Sequence, residues 1–234
     1  MAQMIDRLQA YQQYLESMAS KLSHELRTPL TVVQSSLENL QSESDELNNH
    51  PLIERANDGL GRLKMILANL TEASRLENAL KTTDIESFNL PDVIKGCVKG
   101  YQQAFDGVHF EFSNNTEHFM LQGSSDLIAQ LLDKLVTNAI DFHATGSAIT
   151  IKVEENKSGC DLCVQNIGPQ VPESIMNTLF DSMVTARSHT SDTPHLGLGL
   201  YIVRLIAIFH GGTASIKNED DRVSVCVSFK STGY

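Results

Sequence analysis

The eight residues SHELRTPL, Ser23 to Leu30, lie inside a long apolar repeat and decide how the first third of the chain is read. Upstream of them, Met4, Leu8, Tyr11, Leu15, Met18 and Leu22 are spaced 4, 3, 4, 3 and 4, which is a heptad seam. Leu26, Leu30, Val33, Leu37 and Leu40 continue it after a one-residue slip near Leu26. The slip, with Pro29 just beyond it, predicts a local change of supercoil or a kink. With Leu22 on the seam, His24 falls two positions further round, on the outward face, and Thr28 follows one turn later on that same face. An exposed imidazole beside a carboxylate, Glu25, pairs a nucleophile with a base. One ring nitrogen can attack an electrophilic phosphorus while the carboxylate holds the other ring proton. The chain has eight histidines, so position alone does not single out this one.

Working outward, the polar run SESDELNNHP, Ser42 to Pro51, reads as a turn, with Pro51 placed to open a second helix. Leu52, Ala56, Leu60, Leu63, Leu67 and Leu70 form one stripe on that helix. The result is an α-helical hairpin. Two such helices bury little alone, so pairing with a second copy into a dimeric four-helix bundle is the expected completion. The seam is already running at Met4 with no capping signal ahead of it, which predicts a longer helical protein upstream.

After Lys81 the pattern becomes mixed α/β, and the expected domains are 1–84 and 85–234. FNLPDVIKGCVKGYQQAF reads as a helix, VHFEF and HFML as short strands, and SSDLIAQLLDKLVTNAIDF as an amphipathic helix with Ser124 or Ser125 as N-cap. AITIKVEE and CDLCVQN alternate as strands of a hairpin turning at Asn156 to Gly159. PESIMNTLF is a short helix, and DSMVTARSHTSDTPH, without periodicity, is a loop. GLGLYIVRLIAIFHGG is a helix that stops at Gly211, and TASIKN and RVSVCVSF close the chain as strands. Val223, Val225, Val227 and Phe229 share one face of the last strand.

Composition narrows the function. The chain has 234 residues, 41% of them hydrophobic and 20% charged, as in an ordinary globular protein. Its net charge of -11, with acidic residues spread evenly, argues against nonspecific binding to nucleic acid or anionic membranes. No apolar run approaches the ~20 residues needed to cross a bilayer. Cys97, Cys160, Cys163 and Cys226 suit a reducing cytosol better than secretion. Cys160 and Cys163 form a CxxC, but no second CxxC exists, and on a strand a spacing of three turns the two side chains to opposite faces.

Three further clusters can do chemistry. Asn138, on the long amphipathic helix, offers a hard oxygen of the kind Mg²⁺ accepts. In NIGPQVP, residues 166–172, a strand ends in Asn166 followed by Gly168, which lets backbone approach a flat ligand whose edge Asn166 can bond. In HLGLGLYIV, residues 195–203, Gly197 and Gly199 open a helix whose free N–H groups and dipole can hold phosphate. Each alone is ordinary: a surface amide, a turn, a helix start.

Their order is not ordinary. HELRTPL, then a helix carrying NA, then NxGP, a loop and GLGL resembles the sensor histidine kinases of two-component signalling over nearly the whole chain. The resemblance implies a dimerisation and histidine phosphotransfer domain, followed by an α/β two-layer sandwich of the Bergerat type that binds ATP and Mg²⁺. By the same resemblance His24 accepts the γ-phosphoryl group with Glu25 as its base, and Thr28 orients a water in the reverse reaction on the regulator. Asn138 coordinates Mg²⁺, Asn166 faces the adenine amino group with Gly168 beneath it, and Gly197, Leu198 and Gly199 close over the phosphates, with residues 181–196 as the lid. The implied partners are a second copy, through the hairpin, and the receiver domain of a response regulator. The implied location is the cytosolic side of an inner-membrane sensor whose upstream region carries the stimulus.

The match is imperfect in places. Asn166 and Gln170 stand where the family usually has Asp and Gly, and the lost charge predicts adenine binding weaker by about 1 kcal/mol. Lys134 stands where many members have Asn, and Asp141 where many have a basic residue; Lys134 is therefore a candidate phosphate ligand. Pro194, His195 and Leu196 replace a glycine-rich lead-in. NxGP with LFDSMV and PHLGLGLYIV resembles a proteobacterial subgroup that includes kinases linked to sortase systems. An alternative function is a degenerate kinase acting as a dimeric scaffold or phosphatase. A gyrase-like or chaperone-like ATPase would have no use for the HELRTPL helix.

Overall fold

A computed structural model describes residues 26–40, 42, 50–176, 178–180 and 198–231. His24, Glu25 and Gly197, the upstream seam and the lid at 181–196 lie outside the described residues. The chain divides into two compact units, the first running to Ala79 and the second starting at Leu80.

In the first unit, residues 26–40 are helical (α1) and a second helix, α2, spans Pro51–Leu80. His50 caps α2: its carbonyl accepts from the N–H groups of Ile53 and Glu54 at 2.9 and 3.2 Å. Pro51 then sits where its missing N–H costs nothing. The stripe that α2 turns inward is Ile53, Asn57, Leu60, Lys64, Leu67 and Thr71, again spaced 4, 3, 4, 3 and 4, of which Leu60 and Leu67 are buried. Leu30, Gln34 and Leu37 are its half-buried counterparts on α1. The leucine stripe expected from sequence therefore splits. Leu60 and Leu67 lie inside, while Leu52 and Leu63 stay exposed, as do Leu26, Val33 and Leu40 on α1.

The second unit is a five-stranded sheet with helices on one face. Its elements are β1 (Glu86–Asn89), α3 (Leu90–Ala104), β2 (His109–Asn114), β3 (Met120–Gly123), α4 (Ser125–Phe142), β4 (Ala148–Asn156), β5 (Gly159–Ile167), α5 (Glu173–Met176), α6 (Leu198–Phe209), β6 (Thr213–Glu219) and β7 (Arg222–Lys230). The strand order is β2-β4-β5-β7-β6. β2 and β4 run parallel, a pairing that needs a long crossover, here supplied by β3 and α4. The remaining pairs are antiparallel. β4 and β5 form the expected hairpin with Asn156 opposite Gly159. One strand was not anticipated: β1 pairs antiparallel with β3, Phe88 opposite Leu121, and so takes Phe88 and Asn89 away from the expected start of α3.

The alternation of β4, β5 and β7 puts Ile149, Ile151, Val153, Leu162, Val164, Val223, Val225, Val227 and Phe229 on the covered face. Against them packs α4, whose Leu127, Ile128, Leu131, Leu132, Leu135, Val136 and Ala139 are buried at helical spacing. α3 and α6 flank it, both in contact with α4. No described helix is long and apolar enough to cross a membrane.

Candidate functional site

α4 begins where Ser124 accepts a hydrogen bond from the Leu127 N–H at 3.4 Å, which selects Ser124 over Ser125 as the cap. The same Ser124 donates its backbone N–H to Nε2 of His210 at 3.1 Å. His210 follows directly on α6, and its Nδ1 lies 2.8 Å from the Ile206 carbonyl. These partners fix the neutral tautomer: Nε2 accepts, and Nδ1–H donates. Burial pushes the His210 pKa below its ordinary value. The ring leaves no room for a side chain at residue 123, where a Cβ would come within 2.1 Å of it, and Gly123 sits at a φ of +152°.

This bond sets the site's geometry. It ties the C-terminal end of α6 to the N-terminal end of α4, so the two packed helices run antiparallel. The first turn of α6 therefore lies toward the C-terminal half of α4. At a rise of ~1.5 Å per residue, α6 is long enough to bring Gly199 to within about one turn of the level of Asn138. Gly199 is half-buried, and among the described residues a Cβ there would meet nothing within 4 Å. Leu198 is the first residue of α6.

On α4, Lys134, Asn138 and Phe142 follow one another at intervals of one turn, all half-buried on the rim of the apolar stripe. Phe142 brings the strand end to this rim. A Cβ on Gly168 would approach the Phe142 carbonyl to 2.2 Å, so only glycine permits the contact. Beside it, Ala144 donates to the Ile167 carbonyl at 2.7 Å. Asn166 is 5% exposed, paired with Ile149 of β4 and Val223 of β7, on the covered side of the sheet. Its amide reaches the Ile167 carbonyl at 3.5 Å, the outer limit of a hydrogen bond, and no described donor meets its carbonyl oxygen. An under-satisfied buried amide at a strand end suits the polar edge of a flat ligand. Asn138, Asn166, Gly168, Leu198 and Gly199 are thus brought toward one end of the α4–α6 pair, while Thr28 is exposed on α1 in the other unit.

Sequence reasoning missed what holds the NIGPQVP segment. Asn218 of β6 accepts from the Val171 N–H at 3.1 Å and donates to the Val171 carbonyl at 2.9 Å. Gln170 donates to the carbonyl of Asp220 in the β6–β7 turn. Gln170, noted above only as a departure from the family pattern, is therefore a tether. Asn218 gave no local signal, since its partner is 47 residues away. His210 stands at the end of the apolar run LIAIF, but its partner Ser124 is 86 residues away.

Among the described residues no group of three or more His, Cys, Asp or Glu side chains could hold a metal ion. A metal here would have to draw most of its ligands from phosphate and water, with an amide oxygen such as that of Asn138. That is the coordination Mg²⁺ favours, and the half-exposed Asn138 is compatible with it.

The cysteines differ from expectation in one respect. Cys160 and Cys163 do face opposite sides of β5, Cys160 buried and Cys163 half-exposed. Cys163, however, is joined by a disulfide to Cys226 on β7, a bond that the reading of the cysteines as suited to a reducing cytosol did not foresee.

Comparison with known proteins places both units. Residues 14–79 match the His Kinase A (phospho-acceptor) domain family, and residues 123–232 match the histidine kinase-, DNA gyrase B- and HSP90-like ATPase family. The sensor protein ChvG of Agrobacterium fabrum is 30% identical over 230 residues, which cover 94% of this chain and 38% of ChvG. The heme sensor protein HssS of Staphylococcus haemolyticus is 25% identical over 85% of this chain and 43% of its own length. The chain thus spans about two fifths of the length of these two relatives. A nucleotide-free structure of the catalytic domain of histidine kinase ThkA superposes with a TM-score of 0.56 at 26% identity, covering 64% of this chain and 99% of that domain. None of these names supports the sortase-linked subgroup. With a phosphoacceptor domain and a gyrase-type ATPase domain following one another along one polypeptide, the chain belongs to the sensor histidine kinases.

Proposed function

We propose that this chain is the cytosolic kinase portion of a membrane sensor. It phosphorylates His24 from ATP with Mg²⁺ and passes the group to an aspartate on the receiver domain of a response regulator. Thr28 serves the reverse dephosphorylation. The observation that carries the reading is the antiparallel α4–α6 pair, with Asn138, Gly168 and Gly199 gathered at one end together with buried Asn166, whose carbonyl oxygen meets no donor among the described residues.

In this reading the Asn166 carbonyl accepts from the adenine amino group, and Gly168, packed against the Phe142 carbonyl, lies beneath the ring. The first-turn N–H groups of α6 and the Lys134 ammonium hold phosphate oxygens. The Asn138 side-chain oxygen holds Mg²⁺, which when bound neutralises charge on the transferring group. A ring nitrogen of His24 attacks the γ-phosphorus; the N–P bond forms as the bond to the β,γ-bridging oxygen breaks and ADP departs. Glu25 takes up the proton of the other ring nitrogen. Catalysis of this kind rests on positioning and charge neutralisation rather than covalent chemistry by the ATP site.

The exposed apolar residues of the first unit support dimerisation through the hairpin. Leu26, Val33 and Leu40 recur every seven residues on α1, and Leu52 and Leu63 add to them on α2. A second copy would bury them in a four-helix bundle. Two variants separate site from acceptor. Asn138→Ala is expected to lose Mg²⁺-dependent ATP binding, by 10-fold or more in calorimetry (about 1.4 kcal/mol), together with phosphoryl incorporation. His24→Gln is expected to bind ATP normally and incorporate nothing. Wild-type protein that binds ATP and Mg²⁺ yet is never phosphorylated would instead identify a scaffold or phosphatase.

A further inference from the structure

The sheet face turned away from α4 is polar, and its register lines up a row across five strands: Ser113, Lys152, Cys163, Cys226 and Ser215. Directly opposed residues share a face, so these side chains are neighbours. The Cys163 and Cys226 Cα atoms are 4.1 Å apart, the close, non-hydrogen-bonded kind of antiparallel pair. Both residues are half-exposed. Nine successive register pairs between β5 and β7, from Gly159–Lys230 to Ile167–Arg222, hold the two positions together whatever the state of the sulfurs. On the neighbouring strand Lys152 stands directly opposite Cys163.

We propose that Cys163 and Cys226 are a reversible thiol-oxidation site, a dithiol that closes and opens by exchange with low-molecular-weight disulfides. The inference is independent of the phosphotransfer reading. The Cys163 thiolate attacks one sulfur of the small disulfide, forming a mixed disulfide and releasing one small thiolate. The Cys226 thiolate then attacks the Cys163 sulfur, closing the protein disulfide and releasing the second. Two protein thiols are oxidised by two electrons, the small disulfide is reduced to two thiols, and the cysteine protons pass to the released thiolates. The other cysteines are unsuited to this. Cys160 is buried on the covered face with its thiol pushed up to about 12, first by burial, and burial likewise raises the Cys97 thiol. Closure ties β5 to β7 three residues before Asn166, so the bond bears on the strand that ends at the nucleotide site.

The test equilibrates the whole chain with oxidised and reduced glutathione in varied ratio, then quenches, alkylates under denaturing conditions and weighs it intact. The expected oxidised product has lost two hydrogens, carries no glutathione and keeps two alkylatable thiols, mapped by digestion to Cys97 and Cys160. Excess reduced glutathione returns all four thiols while circular dichroism remains that of the folded chain. Cys163→Ser and Cys226→Ser each abolish the internal disulfide, whereas Cys160→Ser keeps it. Backbone amides of β5 and β7 exchange at least about 10-fold more slowly in the oxidised form. The proposal is overturned by four alkylatable thiols at every ratio, by an internal disulfide persisting in Cys163→Ser, or by a disulfide that opens only after unfolding.

Discussion

The two units close their cores to different degrees. In the sheet unit Ile128, Leu131, Leu132, Ile149, Ile151 and Leu162 are completely buried within one chain. In the hairpin unit Val33 and Leu63 remain 49% exposed, although Leu63 belongs to the same apolar stripe as buried Leu60 and Leu67. One unit is finished by its own sequence; the other presents a surface that a second copy would finish. The difference suits the proposed division of labour, a self-contained nucleotide module beside an acceptor stem built from two chains.

The comparison can be broken first at the sheet unit's core. Leu132→Ala is expected to cost about 2–5 kcal/mol in denaturant unfolding of that unit, because a fully buried side chain leaves a cavity. Next comes the hairpin. Val33→Asp combined with Leu63→Asp is expected to weaken self-association at least ~100-fold in sedimentation, given about 1.5–3 kcal/mol per buried aliphatic side chain. The sheet unit's melting should not move. A double variant that stayed associated, or that melted the sheet unit, would end the contrast. Gly168→Ala tests the junction of α4 with β5: its Cβ meets a backbone carbonyl, so a loss of about 1–3 kcal/mol in stability is expected, along with ATP affinity.

His210 supplies a pH dependence with a definite sign. Its folded pKa lies below the ordinary value of 6.5, so the unfolded chain binds the proton more readily. The associated stability is complete above that value and falls as pH drops toward the folded pKa, with a slope of at most ~1.4 kcal/mol per pH unit. In His210→Gln this component of the slope should vanish; equal slopes in the two proteins would refute the assignment. The smallest effect is expected for Asn218→Ala, about 1 kcal/mol, with faster amide exchange at Val171.

Local chemistry made much of this legible. The alternation in β4, β5 and β7, the Ser124 cap and the stripe of α4 are written in short windows, and the structure follows them. What was hidden is non-local. β1 is four residues long and exists only through β3, so Phe88 and Asn89 read as the lead-in to a helix. Residues Asn57, Lys64 and Thr71 on the inner stripe of α2 are polar, and the flanking leucines outweighed them. The Cys163–Cys226 bond and the Asn218 tether depend on strand register across 63 and 47 residues, which no motif encodes. At the candidate site, Asn138, Asn166, Gly168 and Gly199 were each singled out by motif order, whereas the His210 link that sets α6 against α4 was not.

The most direct test of the account is the chemistry of the phosphoryl group itself. After incubation with γ-labelled ATP and Mg²⁺, the chain should carry label that is stable in alkali, lost in acid, mapped to His24 and absent from His24→Gln. Label that survives acid, or that persists in His24→Gln, would contradict it.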